Sequence, residues 1–283
     1  IKKYNISFKP HEISPILRGL LSETKNVKFI VNYRSNKILD YFINGKEVRR
    51  YTGLGTATPD HVIRVKPFPL VITPKPKSTL KDFKKLAEKC FKDYRKKYVK
   101  YFNINKKKVK DKKTMLDTSP RVILVQNVGL FSVGDSLGAA KIAGDLTETN
   151  ARVISSVEET SKYKFIPEKD LFDVEYWSLE QAKIKKAKKD LQGNVVVITG
   201  SFGAIGTATY KLFKSYGAEV VLLDYNLQKV KEMKSKVKDL CLHCDVTNKD
   251  SVKKAFKIIT ETYGGIDILI SNAGTAIGGS IAE

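Results

Sequence analysis

The sequence predicts an α/β protein whose last segment, about ninety residues, forms half of an open, doubly wound parallel sheet, with a second α/β region in front of it. Three observations predict this. Four short apolar runs alternate with stretches of helical periodicity from residue 195 onward, and a glycine-rich turn joins the first run to the first helix. The residues before 190 carry apolar strands and periodic helices of their own, and they are too many to be a tail without a core.

The first strand, 195–199, contains Val195-Val196-Val197-Ile198 and runs into Thr199-Gly200-Ser201-Phe202-Gly203-Ala204-Ile205-Gly206. Further strands are expected at 219–224, 240–244 and 267–271, and helices at 204–216, 226–237 and 249–263. In the last helix Val252, Phe256, Ile259 and Tyr263 share one face, while Lys249, Lys253, Lys254 and Lys257 lie outside it. Strand and helix in strict alternation imply parallel strands joined by right-handed crossovers, in the spatial order 3-2-1-4.

The residue types of the turn suit a pyrophosphate. A buried strand that reverses sharply into a helix presents unpaired N-terminal amides, and glycine leaves room where backbone and phosphate approach. Gly200, Gly203 and Gly206 supply that room, with Ser201, Phe202, Ala204 and Ile205 between them. Asp224 ends the second strand about 20 residues past the turn, where a carboxylate accepts hydrogen bonds from both hydroxyls of an adenosine ribose. No Arg or Lys stands beside it, since Tyr225 and Asn226 follow, and a 2′-phosphate would meet an uncompensated negative charge. NAD is therefore expected over NADP. The competing role for Asp224 is a helix cap at a strand end.

The pattern resembles the T-G-x-x-x-G-x-G turn of short-chain dehydrogenases, with Ala204 where that family usually has its second glycine. The resemblance implies a Rossmann-like fold and extends to two further sites. Asp245-Val246 resembles the pair that brackets the adenine, and Asn272-Ala273-Gly274 resembles the N-A-G turn beneath the ribose. Members of the family also use a Ser and a Tyr-x-x-x-Lys after the N-A-G turn to exchange a proton with the substrate. Nine residues follow Gly274, and Tyr-x-x-x-Lys occurs only at Tyr33/Lys37, Tyr210/Lys214 and Tyr225/Lys229, all outside that position. No catalytic residue is expected in this chain, and the start at Ile1 and the end at Glu283 read as a truncation.

Two segments of the front region, Leu54 to Lys66 with Pro69-Leu70-Val71, and Asp173 to Lys183, are similar to the middle of fused aldolase/short-chain dehydrogenases of the rhamnulose-1-phosphate aldolase/lactaldehyde dehydrogenase type. The resemblance implies a class II, zinc-dependent aldolase region over residues 1–190, followed by the NAD-binding domain over 191–283. A parent enzyme of this kind cleaves a ketose 1-phosphate in rhamnose catabolism and oxidises the released aldehyde, such as lactaldehyde, with NAD. The zinc ligands are expected upstream of Ile1, because this chain has only His11, His61 and His243, with no paired His motif. Val122 to Asp135 resembles the H-G-L-F-T-W-G-D segment that presents a metal histidine, but Val128 replaces the histidine. The region thus reads as a metal-free repeat of the aldolase fold, with a strand leading to a long helix over 135–159. His61, beside Asp60 and near Arg64 and Lys66, is either a structural turn residue or a phosphate contact.

The charge is uneven. Of a net +22, residues 190–283 contribute about +1, from 11 Lys against 10 Asp and Glu. The densest run, Asn105 to Lys113, is read as a solvated loop in preference to a nucleic-acid patch, because only 8 of the 52 cations are Arg and no nucleic-acid motif accompanies it. Cys90, Cys241 and Cys244 make no disulfide framework, and no apolar run is long enough to span a bilayer, so a cytoplasmic protein without membrane partners is expected. Residues 182–189 read as a helical, basic connector. The full-length protein is expected to act on a small sugar or aldehyde as a homo-oligomer. Two alternatives stay open: a sugar-alcohol or hydroxy-acid dehydrogenase with an unrelated front domain, and a non-catalytic NAD-binding module.

Overall fold

Along the short strands of the first 188 residues, side chains alternate between two separate apolar clusters, and this alternation sets the architecture. A computed structural model describes residues 4–22, 27–184, 187 and 189–275. The chain divides into two units, Ile1–Lys188 with Thr260–Gly265, and Lys189–Ile259 with Ile266–Glu283.

The first unit runs α1 (Pro10–Ser22), β1 (Ile30–Arg34), α2 (Lys37–Ile43), α3 (Val48–Tyr51), α4 (Val62–Val65), β2 (Leu70–Ile72), α5 (Leu80–Asn105), β3 (Val122–Val125), β4 (Gly129–Gly134), α6 (Leu137–Thr160), α7 (Glu168–Glu175) and α8 (Ser178–Ile184). Its sheet has the order β1-β4-β3-β2, with β2 parallel to β3 and the other pairs antiparallel. Leu70, Ile72, Ile123, Val125, Phe131 and Val133 point into one core with Leu17 of α1 and Phe83 and Phe91 of α5. Val71, Val122, Leu124 and Leu130 point the other way, toward Leu39 of α2 and Ala143 and Ile154 of α6. A period of two with both faces buried requires helices on both sides of the sheet. The two longest helices start at side-chain caps. Thr79 and Asp82 form a reciprocal capping box at α5, and Ser136 Oγ accepts from Ala139 N at 3.2 Å at α6.

Residues 121–135 correct the sequence reading. They form a hairpin of β3 and β4, where one strand was expected, with Val125 opposite Gly129 and Asn127 in the turn at φ 63°. Asparagine visits this left-handed backbone more readily than other non-glycine residues because its short polar side chain can hydrogen-bond nearby backbone. Val128 sits in that turn, half-buried, and its carbonyl accepts from the Tyr33 hydroxyl at 3.0 Å. The lysine run is also partly ordered. Lys106–Lys108 continue α5 as an exposed 3-10 turn, and Asn105 is fully buried, donating to Glu168 Oε1 at 2.8 Å. Of the expected connector, α8 reaches Ile184, and residues 185, 186 and 188 lie outside the described residues.

The first unit buries an ionic cluster that no sequence pattern announced. Lys66 is 5% exposed, its ammonium lies 3.7 Å from the Tyr98 ring centroid, and it donates to the Asp117 carbonyl. Glu175, fully buried, accepts from the Tyr98 hydroxyl at 2.7 Å, and Tyr98 also bonds the Tyr176 hydroxyl at 2.8 Å. Burial pushes the Lys66 ammonium down to about 8, against the pull of Asp117, and pushes the Glu175 carboxyl up, against the pull of Lys66. A base whose pKa falls on folding is protonated more fully in the unfolded chain just above the folded value. Its stabilising contribution is present above the ordinary lysine range and is lost as the pH falls through about 8. The urea midpoint should therefore rise between about pH 8 and pH 9.5, and Lys66→Met should abolish that rise. The Glu175 contribution has the opposite sign, being present below the ordinary carboxyl range and lost as the pH rises through its elevated folded value.

The second unit runs β5 (Val195–Thr199), α9 (Ala204–Ser215), β6 (Glu219–Asp224), α10 (Leu227–Lys236), β7 (Leu240–His243), α11 (Lys249–Tyr263) and β8 (Ile268–Ile270). Its strands are all parallel in the order β7-β6-β5-β8, the 3-2-1-4 arrangement expected from the alternation. Val196, Ile198, Val220, Leu222 and Cys241 form its core with Val230 of α10. Cys241 and Cys244 are buried free thiols.

Candidate nucleotide site

The C-terminal ends of β5, β6, β7 and β8 bring the sequence-predicted residues to one edge of the second sheet. The turn out of β5 makes three different demands on its glycines. Gly200 has φ +60°, and a Cβ there would lie 3.0 Å from Ala273 Cα. At Gly206 a Cβ would fall 2.5 Å from the Gly200 carbonyl oxygen and 2.7 Å from Ser201 Cα, so only glycine lets α9 pack onto the turn. Among the described residues nothing demands glycine at 203, where a Cβ would meet only Gly200 O at 3.5 Å. Gly203 is the N-cap of α9, with no side chain to cap it. The first intrahelical bond there is Thr207 N to Gly203 O at 2.9 Å, and the amides of Ala204 and Ile205 precede it at the helix end.

Asp224 holds the turn as well as ending β6. Its Oδ2 accepts from Phe202 N and its Oδ1 from Asn226 N, each at 3.0 Å, and each oxygen keeps a second lone pair. Ser201 is buried, and its amide and hydroxyl both donate to Leu223 O at 3.1 Å. At β8, Asn272 Nδ2 donates to Thr199 O and to Gly200 O, both at 3.0 Å, and the amides of Asn272 and Ala273 both donate to Thr199 Oγ1 at 3.0 Å. Asn272 thus clamps the β8 end to the glycine turn. Among the described residues nothing lies within 4 Å of where a Cβ on Gly274 would stand. Asp245 Oδ1 accepts from the Thr247 amide at 2.9 Å and its hydroxyl at 2.7 Å, and these bonds hold its carboxyl below the usual range. Ile205 and Tyr225 are each 72% exposed and Val246 47%, so Tyr225 and Val246 stand bare next to the two carboxylates they follow in sequence.

Asn226, Thr247 and Ser251 organise this edge without having been singled out from the sequence, and Thr199, read there only as the head of the glycine turn, joins them. Asn226 caps α10 through Lys229 N at 3.0 Å, and Ser251 Oγ accepts from Asp245 N at 3.0 Å. The available signal was local: each is a Ser, Thr or Asn at a strand end or helix start, where such side chains bond nearby backbone. Tyr210 and Lys214 both bond the Asp239 carboxylate at 2.8 Å, and burial, reinforced by Asp239, pushes the Tyr210 phenol up, away from what proton exchange requires.

Zinc does not fit the residues present. Among the described residues no three His, Cys, Asp or Glu side chains gather as a metal set. His61 lies in the turn before α4, with Nδ1 2.9 Å from Asn150 Oδ1, the same oxygen that accepts from Ala57 N at 2.9 Å. That arrangement favours the structural role for His61. No described helix is long and apolar enough to cross a membrane.

Comparison with known proteins agrees with this layout. The family model "aldolase class II, second domain" matches residues 9–184, and the model "short chain dehydrogenase" matches residues 194–283. The uncharacterized oxidoreductase YuxG of Bacillus subtilis (strain 168) is 30% identical over 276 residues, covering 93% of this chain and 39% of that protein. Secoisolariciresinol dehydrogenase of Forsythia intermedia is 42% identical over 87 residues, 30% of this chain and 31% of the relative. The chain thus spans well under half the length of these relatives. A short-chain dehydrogenase of the glucose/ribitol type from Brucella melitensis aligns with a TM-score of 0.32 and 28% identity, over 34% of this chain and 43% of that one. YgbL from Escherichia coli, a putative aldolase/epimerase/decarboxylase, aligns with a TM-score of 0.37 and 13% identity, over 56% of this chain and 63% of that one. The α/β first unit and the parallel-sheet second unit, each matched by its own family model, show that this chain belongs to the class II aldolase second-domain family, with a short-chain dehydrogenase domain following.

Proposed function

We propose that the second unit binds NAD at the ends of β5, β6, β7 and β8, within an oxidoreductase that couples aldolase cleavage of a ketose 1-phosphate to oxidation of the released aldehyde. The observation that supports this reading is the convergence of the glycine turn, Asp224 and Asn272 on one edge of a parallel sheet, where Asp224 Oδ2 accepts from Phe202 N, Asn272 Nδ2 donates to Gly200 O, and the first amides of α9 precede its first intrahelical bond. Bound NAD supplies the hydride acceptor. The chain's own groups hold it: the amides of Ala204 and Ile205 face the pyrophosphate, and Asp224 accepts from the ribose hydroxyls. Asp245 and Val246 border the adenine, and Gly274 leaves space beneath the ribose. Tyr225, beside Asp224, adds no cation.

A lactaldehyde-type substrate from rhamnose catabolism is our reading of the parent reaction, resting on the likeness of the first unit to aldolase/dehydrogenase fusions. In this reading residues 1–190 are a metal-free repeat of the aldolase fold in a cytoplasmic homo-oligomer. Residues 191–283 bind the coenzyme. Asp224→Asn tests the coenzyme assignment, because an amide oxygen still accepts from Phe202 N while the charge is lost. Calorimetric titration should show NAD affinity falling about tenfold or more, with NADP disfavoured less than in wild type. Unchanged affinity for both coenzymes would remove Asp224 from the site.

A further inference from the structure

The sequence around Asp224 offers no cation to a 2′-phosphate, but the neighbouring strand does. In the parallel ladder of β6 and β7, Asp224 stands opposite His243, and Cys244 N donates to Asp224 O at 2.9 Å, fixing the two strand ends side by side. Adjacent strands lie about 4.8 Å apart, so an imidazole on this position reaches the space beside the Asp224 carboxylate. His243 is exposed, and its ring lies 6.2 Å from that of Tyr225, the residue that follows Asp224. The Asp245 carboxyl is held low first by the Thr247 bonds and further by the charge of His243, so the ring lies within electrostatic reach of that carboxylate.

We propose that His243 is a coenzyme-specificity residue: as imidazolium it is the counter-charge that admits a 2′-phosphate beside Asp224, so the preference for NAD over NADP narrows as the pH falls. The inference rests on the coenzyme reading of this edge. Histidine is the side chain whose charge changes between pH 5 and 8. The groups facing it are Asp224 and Tyr225 from β6 and its following turn, and Asp245 from its own loop. From α10, which packs on β7, Lys234 reaches Cys241, two residues back along the strand. β7 is the last strand on its side of the sheet among the described residues, so no further strand adds a charge. Asp245 attracts the imidazolium, and Asp224, opposite it across the ladder, would otherwise repel the phosphate.

The test is calorimetric titration of the whole 283-residue chain with NAD and with NADP at pH 8 and pH 6, for wild type, His243→Asn and His243→Arg. The 2′-phosphate takes up a proton of its own near pH 6, and this contribution is common to all three proteins. The ratio of NADP to NAD dissociation constants should fall about fivefold more in wild type than in His243→Asn between the two pH values. At pH 8 the ratio in His243→Arg should already lie about fivefold below that of wild type. Identical ratios in all three proteins at both pH values, with NAD bound, overturn the role of His243 and leave the coenzyme reading standing. A wild-type chain that binds neither coenzyme overturns the coenzyme reading and this inference together. The exposed position of His243 makes both variants compatible with folding, and circular dichroism checks it.

Discussion

Lys66→Ala is expected to lower the stability of the first unit by about 3–5 kcal/mol, the range for removing one member of a buried charged set. The Asp117 carbonyl loses its donor, and the Glu175 carboxylate loses the cation that most opposes its burial. A gap also opens beside the Tyr98 ring. Lys66→Met should be milder, because the chain still fills the space while Glu175 takes up a proton. Lys66→Gly provides a second comparison. Lys66 has φ 64° and ψ 169°, a region that is nearly exclusive to glycine and costs other residues roughly 1–3 kcal/mol. Glycine relieves that strain, so Lys66→Gly should be more stable than Lys66→Ala despite its smaller side chain. The protein's one tryptophan, Trp177, lies in the first unit beside Tyr176 and reports its urea unfolding. A loss below about 1 kcal/mol in Lys66→Ala would show that the cluster does not hold the unit together.

Gly206→Ala should nearly abolish coenzyme binding. The added Cβ falls 2.5 Å from Gly200 O and 2.7 Å from Ser201 Cα, and both neighbours are backbone that no rotamer change can move aside. α9 must shift away from the turn, at a cost of about 1–3 kcal/mol, and its N-terminal amides move with it. Binding of NAD should weaken by at least about tenfold, since amide donors to a phosphate act only at close range. Gly203→Ala separates packing from ligand approach. It should leave the unfolding midpoint nearly unchanged, because its Cβ meets only an ordinary contact at 3.5 Å, yet still weaken NAD. Wild-type affinity in Gly203→Ala would mean that the phosphate does not pass over that position.

The second unit was largely legible in advance because its signals are local. Four apolar runs of strand length, the intervening helical periodicity and one glycine turn determine a parallel sheet, and handedness then leaves one simple strand order. Asp224, Asp245 and Asn272 could be placed in advance because each ends or closely follows a strand, and in a parallel sheet strand ends converge on one edge. What they do there was only partly legible. Asp224 and Asn272 hold the glycine turn through Phe202 N, Thr199 O and Gly200 O, bonds between residues 22 or more positions apart. The first unit was harder to read. Its strands are only three to six residues long, and the β3–β4 hairpin turns through Asn127 inside what looked like one apolar run.

The amino-acid sequence by itself determined the class of each unit, the order of the second sheet and the glycine turn, because periodicity and turn chemistry act over a few residues. Only the tertiary structure decided which distant groups share a space. Lys66, Tyr98, Asp117 and Glu175 come from four separate segments and meet because a buried charge must find partners wherever the fold brings them. His243 comes to stand opposite Asp224, nineteen positions away in sequence, because strand pairing, with no sequence signal of its own at that residue, sets the register.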